Sequence, residues 1–507
     1  MHRAGGPPRH RAPSQRSRAV AARARHASAR GEGFGRFAAV TILSLIPGAG
    51  LLAAGRRRVG AVLLALVAVA LVGAGAFALT GDATGRALRL AVRPSDLLII
   101  AVAVGALALA WCLTIVATAL AARPAQPSTG QTVLAAVLVV ALCVAVIAPT
   151  SVGIRYSLIQ RDLVTSLFAD SNGGPVSGAA TPDSEKKDPW ASTPRVNMLL
   201  LGSDAGADRT GVRTDSMMVA SIDTKTGDTV LFSLPRSLQK APFPTKDPLH
   251  TVWPDGFNCG DVCLLNAVWN QAEQHRDLFP GDPKPGLTAT RDVIGEILGI
   301  PIDYYTIIDL KGFQSLVDAM GGVDVNVPRD IPIGGGKVDG TNRERPITGW
   351  IRKGQRHLNG YEALWFSRSR SGADDYDRMR RQRCMVSSLL DQTNPVQLLK
   401  KYPKLAKVAK NNMSTDVPQQ DLEAWVDLVQ RIQGGSVRSL PFTNQVISTV
   451  NPDFAAIRTM VKDAIATKTA TPSPTASGTS TPSSTATTGT GKAKPDLTKA
   501  QDFSAVC

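Results

Sequence analysis

The sequence predicts an α/β domain, a mixed central sheet flanked by helices, preceded by a multi-span helical membrane region. Three observations predict it. Uninterrupted apolar sequence lies almost wholly before residue 154. From Val196 onward, short β-rich runs alternate with amphipathic helical stretches, the pattern of helices layered on a sheet. Residues 196–236 then set aspartates and arginines at the ends of neighbouring predicted strands, as a metal-assisted phosphate site would.

In chain order, residues 1–36 form a basic tail with nine arginines against the lone Glu32, and they account for much of the net charge of +16. Beside hydrophobic spans, such a tail marks the cytoplasmic side and meets anionic lipid, so no nucleic-acid partner is read from the charge. The transmembrane region, 37–153, holds apolar segments at 37–55, 59–79, 97–122 and 132–153. The last three are long enough for a hydrocarbon core of ~30 Å. The first carries Pro47-Gly48-Ala49-Gly50, which suits a re-entrant or interfacial piece. Three spans place the large domain outside and four place it inside. The loop arginines, the cysteine pattern and the Ser/Thr/Pro tail favour three, hence a multi-pass protein of the cell membrane with its large domain extracytoplasmic. Several long spans are not a cleavable signal peptide.

Cys112 and Cys143 fall within apolar spans and read as small hydrophobes. The other four suit an exported domain with disulfides, expected as Cys259–Cys263 and Cys384–Cys507. A zinc site is the alternative, without histidines at ligand spacing to support it.

Residues 154–195 read as a stalk, and 196–466 as the folded extracytoplasmic domain. Expected strands are Val196–Leu201, the hairpin Ser216–Asp223 and Thr229–Leu234, Asp303–Ile308, Val323–Val327 and Val437–Phe442. Helices are expected at Leu264–His275, Thr288–Leu298, Gly312–Met320, Asn359–Ser369, Arg378–Gln392, 395–410, 418–432 and 452–466. The Gly/Pro-rich residues 331–349 read as a mobile loop beside a cleft. The Ser/Thr/Pro-rich tail, 467–507, is expected to be disordered to about 495 and to be pinned at its end by Cys507.

The chemistry begins with Asp204 and Asp215, which suit an oxygen-seeking cation, and with Arg213 and Arg236, which suit phosphate oxygens. Strand-end aspartates also terminate turns. A glycosidase pair is disfavoured, because the arginines would keep both carboxylates ionised and leave no proton donor. Arg368, Arg370, Arg378, Arg380, Arg381 and Arg383 lie within sixteen residues. They form either a solvated basic helix or a convergence on a multivalent anion, and Arg378, Arg381 and Gln382 are expected on one helix face. There is no Walker A sequence, Gly-x-Ser-x-Gly elbow or His-Glu-x-x-His. His250, His275 and His357 have no evident partners, which argues against a histidine-driven hydrolase.

Leu200-Leu201-Gly202-Ser203-Asp204, Arg213-Thr214-Asp215-Ser216-Met217-Met218 and Ser233-Leu234-Pro235-Arg236 resemble the LytR-CpsA-Psr family. So do Leu265-Asn266-Ala267, Asp318-Ala319-Met320-Gly321-Gly322-Val323 and Leu358-Asn359-Gly360-Tyr361-Glu362-Ala363-Leu364. Ser367-Arg368-Ser369-Arg370, Asp375-Tyr376-Asp377-Arg378 and Arg381-Gln382-Arg383 complete the ordered series, over 196 to about 392. The resemblance implies a membrane-anchored phosphotransferase moving a glycopolymer from a polyprenyl-pyrophosphate carrier to a peptidoglycan hydroxyl. By the same resemblance, Asp204 and Asp215 would hold Mg²⁺, with Mn²⁺ as the alternative ion. Arg236, Arg368, Arg370, Arg378 and Gln382 would grip the pyrophosphate, with Arg213 in support. Arg236, Arg368 and Arg370 would also serve catalysis, with Asp375 as candidate base. The lipid would lie in an apolar tunnel between sheet and helices. The family commonly has aspartate after Pro-Arg, where this chain has Ser237. A polyprenyl-pyrophosphate phosphatase and a non-enzymatic envelope binding or regulatory protein are the alternatives.

Overall fold

The computed structural model of the chain describes residues 33–79, 83–124, 127–168, 179–183, 185–204, 214–336, 343–372, 374–392, 395–467 and 497–502. The described chain divides into two compact units, residues 1–158 and 159–507. The first unit is helical: α1 (Gly33–Leu43), α2 (Ala49–Ala53), α3 (Arg57–Leu79), α4 (Ala83–Ala91), α5 (Pro94–Ala121) and the greater part of α6 (Thr129–Leu167), whose residues from 159 onward belong to the second unit. Among the described residues α3, α5 and α6 are long and apolar enough to cross a membrane, and most of their surface faces outward. The first apolar segment is broken in two. Gly48, at φ 93°, turns the chain between α1 and α2, and a Cβ there would lie 2.5 Å from the Gly60 carbonyl oxygen. The α6 helix runs on through residue 167, so the expected stalk begins as a helix. Most of the Ser/Thr/Pro tail lies outside the described residues.

The second unit is built on a seven-stranded mixed sheet. Its strands are β1 (Arg195–Ser203), β2 (Thr214–Asp223), β3 (Thr229–Leu234), β4 (Tyr304–Asp309), β9 (Met413–Thr415), β10 (Val437–Pro441) and β11 (Gln501–Asp502), in spatial order 11-10-3-2-1-4-9. β1 runs parallel to β4 and β3 parallel to β10, and the other pairings are antiparallel. Two short pairs stand beside it: β5 (Val323–Val327) with β8 (Gly354–Leu358), and β6 (Ile331–Gly334) with β7 (Ile347–Ile351). The expected loop 331–349 is therefore in part a hairpin. Isoleucines at 331, 333, 347 and 351 supply the β propensity that the glycines and prolines mask in sequence.

Side-chain alternation assigns the two faces of the sheet. Leu199, Leu201, Met217, Val219, Phe232 and Leu234 point into the main core, under α7 (Val268–Gln274), α8 (Pro285–Leu298) and α14 (Phe454–Ala466). Burying each such side chain contributes roughly 1.5–3 kcal/mol. The intervening residues Leu200, Gly202, Ser216 and Met218 face the other way, towards α9 (Leu310–Met320), α10 (Gly360–Arg368) and α11 (Asp375–Asp391). Those helices pack with β5 around Val317, Phe366, Cys384 and Met385. α12 (Pro395–Asn412) and α13 (Leu422–Gly434) complete the unit.

Caps set where the site helices begin. Asn359 Oδ1 accepts from the Glu362 amide at 2.9 Å, while Glu362 Oε2 accepts from the Asn359 amide at 3.1 Å. The helix can dock at that point only because residue 360 is glycine: a Cβ would lie 2.1 Å from the Gln314 carbonyl oxygen. Asp374 likewise caps α11, accepting from the Asp377 amide at 2.8 Å. Cys259 and Cys263 form the expected disulfide. Cys384 is disulfide-bonded, and its expected partner Cys507 lies outside the described residues.

Candidate active site

The sheet face that looks towards α9, α10 and α11 lines a cavity of about 1380 Å³. Asp204, Asp215, Arg236, Arg368, Arg370, Arg378 and Gln382 all line it. Two stretches more than 130 residues apart in sequence thus meet on one void. Arg213 lies outside the described residues. Asp375 is not among the lining residues; its carboxylate sits behind Arg236 and Arg378.

A bulge aims the first of these groups. Gly202 pairs with Ser216 and Ser203 with Thr214, which leaves Asp215 as the extra residue on β2. An unpaired residue of this kind is released from strict alternation and can turn its side chain into a site. Asp215 accepts a charge-assisted hydrogen bond from Arg236 Nη1. Arg378 Nη2 donates to the Asp215 main-chain carbonyl at 3.1 Å and lies 2.8 Å from Asp375 Oδ1. Arg236 Nε lies 3.8 Å from the same Asp375 oxygen. Arg236 therefore has Asp215 and Asp375 as carboxylate neighbours, although Ser237 stands where the family commonly supplies an aspartate.

Electrostatics follow from this packing. Burial pushes the Asp215 carboxyl up, but Arg236, Arg378 and Arg370 together outweigh it and hold its pKa below the usual value. Burial, with Arg236 and Arg370 nearby, depresses Arg378 to about 10 despite Asp375 and Asp215. It is still charged at neutral pH, and a desolvated cation interacts more strongly with an anion than one in water does. Both Asp375 oxygens are buried without a well-aligned hydrogen bond; the close approach of Arg378 is an ion pair without the angle of one.

Arg381, which spacing places on one helix face with Arg378 and Gln382, does not line the cavity: the residue is 1% exposed, and its guanidinium donates to the Phe366 and Ser369 carbonyls and, at 3.0 Å, to Asp377. Asp377 also receives Arg329 at 2.8 Å and Arg380 at 3.0 Å. Against the effect of burial, these arginines hold Asp377 down at about 2. Arg381 is thus a clamp that fixes the turn carrying Arg368, Ser369 and Arg370. His357 also has partners: its ring nitrogens lie 2.7 Å from Asp324 and 3.0 Å from the Gly321 carbonyl oxygen, at the surface.

Beyond the charged residues the lining turns apolar. Along α11, Arg378 and Gln382 give way to Met385, Val386 and Leu389, the last about 16 Å along the helix from Arg378 at 1.5 Å per residue. Leu200, Met218, Ile308, Phe313 and Leu316 supply the facing wall. Trp365, not among the expected site residues, lines the cavity and lies under Arg368, 5.1 Å from the guanidinium carbon to the ring centroid. Its helical i, i+3 spacing from Arg368 was the available signal.

Among the described residues no group of three or more acidic, histidine or cysteine side chains could cage a metal. Asp204, 2% exposed, and Asp215 line one cavity beside arginines. That set fits Mg²⁺, which is commonly held by one or two carboxylates, water and substrate phosphate.

A sequence model of the LytR_cpsA_psr family matches residues 172–467. The chain is 28% identical over 207 residues to the polyisoprenyl-teichoic acid–peptidoglycan teichoic acid transferase TagV of Bacillus subtilis (strain 168), covering 40% of this chain and 45% of that protein. It is 29% identical over 237 residues to Biofilm regulatory protein A of Streptococcus mutans serotype c, covering 46% of this chain and 52% of that protein. The chain spans about half the length of these curated relatives. A crystal structure of B. subtilis TagV matches with a TM-score of 0.36 at 22% identity, covering 53% of this chain and 96% of that one.

Proposed function

Since this chain belongs to the LytR-CpsA-Psr family, we propose that it is a membrane-anchored phosphotransferase. It moves a glycopolymer from a polyprenyl-pyrophosphate carrier to a peptidoglycan hydroxyl. α3, α5 and α6 cross the cell membrane and the second unit works outside it. One observation carries the reading: a single cavity has a wall of aspartates and arginines that grades into an apolar wall. A substrate that is a pyrophosphate at one point and a long hydrocarbon beyond it matches that gradient.

Arg236, Arg368, Arg370 and Arg378 bind the pyrophosphate oxygens, with Gln382 and Arg213 in support. Asp204 and Asp215 hold Mg²⁺. When bound, the ion supplies charge neutralisation and orientation of the phosphates. The acceptor oxygen forms a bond to the glycan-bearing phosphorus as the bridging P–O bond breaks, and polyprenyl phosphate leaves with the bridging oxygen. The acceptor's proton passes to a base, for which Asp375 is the candidate. Such transfer depends on positioning and charge stabilisation more than on covalent help.

The test is to incubate the full-length protein in detergent micelles with a polyprenyl-pyrophosphate glycan, a peptidoglycan acceptor and Mg²⁺. Transfer is expected, and Asp204→Ala should abolish it in a folded protein. Phosphate release without transfer would make the protein a phosphatase. Substrate binding without turnover, unchanged in Asp204→Ala, would make it a binding or regulatory protein.

A further inference from the structure

We propose that the shallow groove between Tyr376 and residues 444–450 is the docking site for the acceptor glycan, an uncharged sugar chain. The assignment rests on the transfer reaction proposed above.

The groove encloses about 440 Å³, within the range of small-molecule sites. Asn444, Gln445, Ser448 and Thr449 line it with amide and hydroxyl groups, and Tyr376 adds an aromatic ring. No lining residue is charged. Amides and hydroxyls both donate and accept, as sugar hydroxyls and acetamido groups do, and a tyrosine offers an apolar face with a polar tip. A pyrophosphate would find no counter-charge here.

Two links tie the groove to the arginine site. Tyr376 follows Asp375, whose carboxylate meets Arg236 and Arg378. The Thr449 carbonyl accepts from the Gln239 amide at 2.9 Å, three residues beyond Arg236, and the Thr449 hydroxyl lies 3.4 Å from the Tyr376 hydroxyl. At 100° per residue, Tyr376 projects about 200° around α11 from Arg378, away from the cavity-lining face. In-line displacement calls for an acceptor site apart from the cavity that takes the leaving lipid phosphate. The leaving oxygen carries the polyprenyl phosphate into the cavity, so the attacking hydroxyl enters from the opposite side of the phosphorus.

The experiment uses full-length protein in micelles and varies donor and acceptor separately. Tyr376→Ala and Gln445→Trp, the latter at an exposed position, should each raise the acceptor KM by about tenfold or more. The donor KM should stay within about twofold, and Tyr376→Phe should restore most of the acceptor affinity by keeping the ring. An unchanged acceptor KM, or a rise in the donor KM instead, would overturn the assignment; the latter would give the groove to the donor's own glycan. A second measurement is independent of turnover: calorimetric binding of a β-1,4-linked N-acetylglucosamine tetramer. Binding should be lost in Gln445→Trp and kept in Arg370→Ala, even if the wild-type protein transfers nothing. Absence of binding, or binding insensitive to Gln445→Trp, would overturn the groove whatever becomes of the transfer reaction.

Discussion

Arg378 on α11 donates to the main-chain carbonyl of Asp215 on β2 at 3.1 Å, joining two stretches separated by 163 residues. The contact fixes the distance between the two walls of the site. The same guanidinium holds Asp375 at 2.8 Å, so one buried cation ties the main chain at Asp215 to the Asp375 carboxylate.

Arg378→Lys should therefore be far from conservative. Lysine keeps the charge but cannot present two nitrogens in a planar fork. Transfer should fall by about 10²–10³-fold with circular dichroism unchanged, as when one preorganised donor is removed from a reacting centre.

Arg381 predicts the opposite signature. Arg381→Met would leave two main-chain carbonyls without their donor and remove one of the three arginines around Asp377. It should cost on the order of 3 kcal/mol of stability in urea unfolding. Arg368→Ala, by contrast, should lower activity and leave the unfolding midpoint near the wild-type value.

Metal dependence separates Asp204 from the arginines. Chelation by EDTA should stop transfer and added Mg²⁺ restore it. Asp204→Asn should weaken Mg²⁺ binding by about tenfold or more in calorimetry without substrate. Equal Mg²⁺ affinity in the two proteins would remove Asp204 from the metal site.

The apolar wall should measure the lipid. Leu389→Trp, at the far end of the α11 lining, is expected to raise the KM for long polyprenyl donors and to spare short-chain ones. Equal effects on both would place the hydrocarbon elsewhere.

Asp247 gives a pH test away from the site. It is 1% exposed, Oδ1 accepts from the Leu249 amide at 2.8 Å, and Oδ2 is buried without a partner. Burial raises its pKa to about 6. The folded state thus binds this proton more tightly than the unfolded chain, whose carboxyl titrates near 3.9. Its stabilising contribution is complete below about pH 4 and is lost as pH rises through about 6. Unfolding free energy should drop by about 1–1.5 kcal/mol from pH 5 to pH 7 on this account. Asp247→Asn should flatten that part of the profile.

Much of the fold was legible because it depends on local pattern. Val323–Val327 and Thr229–Leu234 are strands where alternation and β-branching put them, and α11 forms as expected except that it begins at Asp375, three residues before Arg378. The apolar spans were equally plain, since length and composition alone decide whether a helix can cross a bilayer. The motifs also identified most of the residues that meet at the cavity, because aspartate and arginine at strand ends and helix starts carry their chemistry in their type.

What sequence could not carry was direction and pairing. Arg378, Arg381 and Gln382 sit at spacings that share a face of an isolated helix, yet α10 takes Arg381 for its carbonyls and leaves the other two to the cavity. The hairpin Ile331–Gly334 with Ile347–Ile351 depends on a partner strand brought from beyond the glycines. The bulge that frees Asp215 exists only once β1 and β2 are in register. Residue type and periodicity determined which elements form and which chemistry they bear. Long-range packing decided which of those side chains meet, because hydrogen-bond register and burial are properties of pairs of segments rather than of either one alone.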